Sequence, residues 1–281
     1  MRKLIYLIAF ICCIYPQAVY TEQDSIAFVY IMQYAQEQKM DTLSINEIVA
    51  KIGSFFIGSD YHISPIEPDG DEEKLVVHLS GFDCYTLVEA SLASARMIKL
   101  KKRTFFEFIE ELKKIRYRGG ELNGYTSRLH YFSDWIFDNS ARGIVEDITK
   151  KNGGSRYNKR INFMGSNPDK YLRLENPENH KSIREIEKTI NRRDYYFIPK
   201  EKLKFYEKKI PNGTIIGITT NINGLDISHT GIAIRKEDKK IYFLHAPSGG
   251  KKIQITQMPL AEYLKRNKTQ TGVMLAFPLE P

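Results

Sequence analysis

The apolar residues of this chain change their period part-way along, and that change limits the fold more than any other feature. Up to about residue 140 they recur at helical spacing, and beyond about residue 210 they come in short β-rich runs. Helices first and a mostly antiparallel sheet later describe an α+β fold rather than alternating βαβ units.

Residues 23–39 read as a helix with Ile26, Val29 and Tyr30 on one side. Ser44 and Glu47 form a capping box that opens a second helix, whose stripe is Ile45, Ile48, Val49 and Ile52. Residues 58–73 are turn-rich and acidic. A short strand, Leu75–Leu79, leads to Phe82-Asp83-Cys84 and a helical pattern of Leu87, Val88, Leu92, Ala95 and Ile98. Thr104 with Glu107 makes another capping box, for a helix ending at Gly119-Gly120, and residues 127–138 read as a helix carrying Trp135. A polar excursion spans about residues 150–182, with Asn176-Pro177 as one of its turns, and a basic helix is expected at 182–193. Strands are expected at Thr214–Thr219, Ile227–Ile234, Ile241–His245, Lys252–Ile255 and Val273–Phe277, with a tight hairpin turn at 236–239 and a short helix near 259–266.

Arg2 and Lys3 precede an uncharged apolar run, Leu4 to Tyr15. That is the pattern of a secretory signal, and the run is shorter than the roughly 20 residues that span a bilayer. Cleavage is expected between Pro16 and Glu22; an uncleaved anchor is the alternative. The chain is thus expected to comprise a signal peptide, 1–20, and a single domain, 21–281, exported and periplasmic, without stable membrane insertion once cleaved, and monomeric. Of three cysteines, Cys12 and Cys13 fall in the leader, so Cys84 alone remains. One cysteine builds no disulfide scaffold. It is a buried small residue, an intermolecular link or a reactive thiol.

The formal charge of +8 drops by two when Arg2 and Lys3 leave. The remaining cations are scattered in short runs such as Lys99–Arg103, Arg192–Arg193 and Lys251–Lys252, which read as solvated faces. With no nucleic-acid motif and an export signal, no nucleic-acid partner is expected. A non-catalytic basic module that binds cell-wall polymers stays open as an alternative.

Cys84 follows a strand and begins a helix, with Asp83 at the N-cap. Backbone N–H groups at a helix N-terminus favour a thiolate, whereas Asp83 opposes one. A nucleophilic thiol therefore needs a basic partner. His229 and His245 lie in one predicted hairpin, close to cross-strand neighbours, so one imidazole can take the thiol proton while the other orients it. Two half-buried histidines of an ordinary hairpin fit the same spacing. Zinc held by one cysteine and two histidines is a third reading, unsupported by any C-x-x-C or H-E-x-x-H spacing.

Four separated segments carry a resemblance. They are Phe82-Asp83-Cys84, the run Tyr125-Thr126-Ser127-Arg128-Leu129-His130-Tyr131-Phe132-Ser133-Asp134-Trp135, Ser228-His229-Thr230-Gly231-Ile232, and Leu244-His245-Ala246. In this order they resemble the NlpC-type papain-like amidases and peptidases of bacterial cell walls, and within them the N-acetylmuramoyl-L-alanine amidase-like group. The resemblance spans roughly residues 25–279. It implies a papain-like fold whose nucleophile sits at a helix N-terminus against the sheet. It implies Cys84 as nucleophile, His229 as general base and His245 as the group that orients His229. Asp83, Tyr85, Tyr125, Arg128, His130 and Ser228 are expected to line the substrate groove, with Arg128 gripping a substrate carboxylate; Trp135 is expected in the core. No metal or organic cofactor is implied, and the partner is a peptidoglycan fragment. Relatives that cut within the stem peptide carry a serine after the cysteine, where this chain has Tyr85. The expected target is therefore the amide between N-acetylmuramic acid and L-alanine. Cleavage between D-glutamate and the diamino acid is the alternative.

Overall fold

The computed structural model describes residues 18–62, 66–67, 70, 72–249 and 251–281. The expected leader, up to residue 17, lies outside the described residues. The α-helices are α1 (Glu22–Glu37), α2 (Ile45–Phe55), α3 (Cys84–Lys99), α4 (Phe105–Arg116), α5 (Phe132–Ala141), α6 (Phe163–Ser166), α7 (Pro177–Ile190), α8 (Lys200–Tyr206) and α9 (Leu260–Lys265). The strands are β1 (Ala18–Val19), β2 (Asp60–Tyr61), β3 (Leu75–Val76), β4 (Gly81–Phe82), β5 (Val145–Asp147), β6 (Ser155–Arg156), β7 (Tyr196–Pro199), β8 (Ile215–Thr220), β9 (Ile227–Arg235), β10 (Ile241–His245), β11 (Gln254–Ile255) and β12 (Gln270–Pro278). Most helix lies in the first half and most strand in the last third, so the architecture is α+β.

The main sheet runs in the order β11-β10-β9-β8-β12-β7-β6, with β5 also paired to β12. Every pair in it is antiparallel. Alternation along the strands gives each face its own core. Ile215, Ile232, Leu244, Met274 and Ala276 pack with the helical half. Ile216, Ile218, Ala233, Phe243 and Leu275 pack with Leu203 of α8 and Leu260 and Leu264 of α9. Helix α2 lies directly on the inner face because residue 53 is glycine. A Cβ there would stand 2.7 Å from Ile232 and 2.8 Å from Leu244.

Both expected capping boxes form, at Ser44–Glu47 and Thr104–Glu107, and the α2 stripe is buried as read. Helix α1 is rotated from its expected setting. Phe28, Ile31, Met32 and Ala35 are buried, while Ile26, Val29 and Tyr30 are exposed at 47%, 51% and 60%. The cause is long-range: Asp24 Oδ1 accepts a hydrogen bond from the Leu79 backbone at 2.8 Å, which fixes the inward face. The expected helix over 127–138 begins only at Phe132. Upstream of it the chain is extended, because Arg128 bridges Tyr117 and the Leu129 N–H donates to the Arg116 carbonyl at 3.0 Å. The basic helix starts earlier than expected. Asn176 caps it and Pro177 takes its first position, where a missing N–H costs nothing. Strands β5, β6 and β7 and helix α8 were not expected. Upstream of residue 21, β1 pairs in parallel with β3.

Candidate active site

The short parallel pair β2–β4 delivers the chain to Asp83 and Cys84. Asp83 is the N-cap of α3. Its Oδ1 accepts from the Tyr85 N–H at 2.9 Å and the Thr86 N–H at 2.7 Å, and its own N–H donates to Thr86 Oγ1 at 3.0 Å. This reciprocal cap fixes the first turn, so the half-buried Cys84 thiol projects from a rigid helix tip.

The tip meets the sheet where β10 ends. The β9–β10 ladder runs from Ile241–Arg235 to Leu244–Ile232 and stops. Ala233 donates its N–H to the Thr214 carbonyl, on the β8 side of β9. Alternation therefore turns the Thr230 N–H toward the β10 side, past the last rung. There it meets Cys84: the Thr230 N–H and those of Cys84 and Tyr85 favour the charged sulfur. Burial, reinforced by Asp83, outweighs them and pushes the thiol up to about 12.

His229 precedes Thr230 on β9, and His245 ends β10 on the same face. Their rings meet edge to face, with His229 Nε2 2.7 Å from His245 Nδ1. Phe243 touches both, stacked on His245 and edge-on to His229. Burial holds His229 at about 4 and His245 at about 3, so both imidazoles are neutral at pH 7. His245 Nε2 is buried without a hydrogen-bond partner among the described residues.

Beside the tip lies a cavity of about 210 Å³ whose lining includes Asp83, Tyr85, Arg128 and His130. Four of the six expected groove residues are thereby brought together. Tyr125 lies beneath them, with the Arg128 guanidinium 5.1 Å from its ring centre and the His130 ring 4.5 Å away. Ser228 is exposed beside His229. Arg128 differs from the open fork expected of a carboxylate clamp. It is 4% exposed, and its guanidinium donates to Glu73 at 2.8 and 2.9 Å and to Glu67 at 2.6 Å. Trp135 is fully buried and stacked on Phe132, as expected of core. Among the described residues, no three His, Cys, Asp or Glu side chains are grouped to hold a metal ion.

A family model described as N-acetylmuramoyl-L-alanine amidase-like matches residues 51–273, which include Cys84, His229 and His245. The chain belongs to this amidase-like family. Its fold is similar to a solved N-acetylmuramoyl-L-alanine amidase from Bacteroides uniformis ATCC 8492, at 35% identity and a TM-score of 0.78, covering 84% of this chain and 99% of that one. A Bacteroides fragilis structure, named as a candidate xylanase, is also 35% identical, with a TM-score of 0.74 over 80% of this chain and 98% of that one. A Legionella pneumophila protein of the family DUF1460 shares the fold at 24% identity and a TM-score of 0.69, covering 92% of this chain and 96% of that one. No curated protein matches.

Within this amidase-like chain the sequence reading missed Tyr61. The β2–β4 pairing sets it opposite Phe82; burial pushes its phenol up, and the negative charges of Cys84 and Asp83 add to that. Only the parallel pairing, invisible in a turn-rich segment, reveals it. Glu67 and Glu73 were missed for the same reason. They lie in that segment and meet Arg128 across 61 and 55 residues of sequence.

Proposed function

We propose that this protein is an exported, periplasmic, monomeric cysteine amidase of the NlpC-type papain-like class, cutting the amide between N-acetylmuramic acid and L-alanine in peptidoglycan fragments. The observation that carries the reading is the 2.7 Å His229–His245 hydrogen bond, one residue along β9 from the Thr230 N–H that reaches Cys84 at the tip of α3. No described helix is long and apolar enough to cross a membrane.

The tautomer follows from the chemistry. For His229 to act as base, its Nδ1 must be unprotonated, so its Nε2–H donates to His245 Nδ1. The resting pair is a neutral thiol and a neutral imidazole. As the sulfur attacks the lactyl carbonyl, the thiol proton moves to His229 Nδ1 and the carbonyl electrons move to oxygen. The Cys84 N–H and the Tyr61 hydroxyl are the donors proposed for that oxyanion. Collapse breaks the C–N bond, and His229 returns the proton to the departing L-alanine nitrogen. Water, deprotonated by His229, then attacks the thioester and releases N-acetylmuramic acid and the thiol.

A glycoside hydrolase would place two free carboxyl groups about the scissile bond. Here Asp83 caps α3, Glu89 pairs with Arg116 at 2.7 Å and Glu67 pairs with Arg128. One observation favours a second reading. The cavity is lined by the carboxylates of Glu67, Asp83 and Glu89 against two guanidiniums, Arg116 and Arg128. An acidic lining suits a free L-alanine amine, hence a peptidase cutting between D-glutamate and the diamino acid. Mass spectrometry of a digested N-acetylmuramoyl tetrapeptide separates the two. The amidase releases free N-acetylmuramic acid and an intact peptide, and Cys84→Ala releases neither. Products retaining the muramoyl–L-alanine bond favour the peptidase, and unchanged turnover by Cys84→Ala overturns both.

A further inference from the structure

Away from Cys84 a larger cavity, of about 450 Å³, opens between α6 and α7. Arg184, Lys188 and Arg192 line it from α7 and the residues just after it, at i, i+4 and i+8, and Arg160 lines it from the polar excursion. Like charges at this spacing oppose a helix. Lys188 is paired with Glu185 at 2.7 Å. Arg160, Arg184 and Arg192 are exposed, and among the described residues no carboxylate stands within ion-pair distance of them; Glu185 acts on the last two only at longer range. The one carboxylate in the lining is Glu187, and it is turned inward. Its Oε1 accepts from the Tyr131 hydroxyl at 2.7 Å and the Gly165 N–H at 2.7 Å.

The walls are preformed. Asn191 joins them: its Oδ1 accepts from the Ile161 N–H at 2.8 Å and its amide donates to the Ile161 carbonyl at 2.6 Å. Arg160 therefore stands at a set place opposite α7. Arg160 and Asn191 also line an adjoining cavity of about 260 Å³, where Arg156 and Arg193 are paired with Asp194 and Asp134 and Lys159 donates to the Thr220 and Ile222 carbonyls. Of the arginines in the two linings, Arg160, Arg184 and Arg192 have no ion pair among the described residues, and all three line the larger cavity.

We infer that this cavity binds an anion with more than one phosphoryl group, a diphosphate-type ligand held by Arg160, Arg184 and Arg192. Three arginines lining one space, each with a planar fork of donors, call for a ligand dense in charge and oxygen acceptors. Phosphoryl groups supply both, and the volume falls in the range of small-ligand sites. The inference does not rest on the proposed amidase reaction.

Isothermal titration of the full chain with pyrophosphate tests it, with citrate as a carboxylate control. The triple variant Arg160→Gln/Arg184→Gln/Arg192→Gln is compared with a variant of equal charge loss elsewhere, Lys202→Gln/Lys265→Gln/Lys268→Gln. All six positions are exposed, and circular dichroism checks the fold of each variant. The expected result is saturable pyrophosphate binding that weakens with salt, exceeds citrate, falls more than about tenfold in the arginine variant and persists in the lysine variant. No pyrophosphate binding, equal binding of citrate, or equal loss in both variants overturns the inference.

Discussion

Two cavities of this chain treat arginine in opposite ways. Beside Cys84, Arg116 and Arg128 are buried and hydrogen-bonded to Glu89, Glu73 and Glu67. At α7, Arg160, Arg184 and Arg192 are exposed, with no ion pair among the described residues. A buried guanidinium stripped of water must be matched inside the protein, so it becomes architecture. An exposed one keeps its water and exchanges it for a ligand. On the proposed readings the first cavity holds its substrate by shape, its guanidiniums already matched, and the second holds its ligand by unspent positive charge.

The largest effect separates the two by function. Cys84→Ala should lower turnover of an N-acetylmuramoyl peptide by at least about 10³-fold while leaving pyrophosphate binding unchanged. Steady-state kinetics and titration on the same preparation decide it, and retained turnover would remove the first cavity from the chemistry. Stability comes next. Arg128→Ala strands Glu73, which is 4% exposed, and should cost about 3–5 kcal/mol in urea denaturation. Arg160→Gln should stay within about 0.5 kcal/mol. Equal costs for the two would erase the contrast.

Acid sharpens it further. His130, His229 and His245 are lowered by burial to about 3, 4 and 3, from an ordinary 6.5. Between 6.5 and those values the unfolded chain binds more protons than the folded one, so stability rises with pH there and falls as acid is added. Melting temperature should drop from pH 6.5 toward 4. kcat/KM should fall as pH passes down through about 4, where protonated His229 can no longer accept the thiol proton. An acid limb of kcat/KM centred near 6.5 would show that His229 is not held neutral by burial. The smallest effect is at α7. Arg184→Gln relieves repulsion with Lys188 one turn on and should raise stability by about 0.2–0.5 kcal/mol, measurable in urea at low salt.

Local chemistry was legible in the sequence. The boxes at Ser44–Glu47 and Thr104–Glu107 and the Asp83 cap each involve side chains within three residues of one another. The His229–His245 meeting was legible too, because a tight turn sets the register of a hairpin. What escaped depends on distant partners. The inward face of α1 follows from Leu79 and the extended run before Phe132 from Arg116 and Tyr117. The pairing of Arg128 follows from two glutamates in an irregular segment. Asn176-Pro177 was ambiguous in itself, since a turn and a helix start use the same pair.

The most direct test of the central claim is the intact mass of the protein after rapid acid quench of its reaction with an N-acetylmuramoyl peptide. A Cys84 thioester carrying the N-acetylmuramoyl group, absent from Cys84→Ala, is the predicted result. An adduct that retains the muramoyl–L-alanine bond, or full turnover by Cys84→Ala, would contradict it.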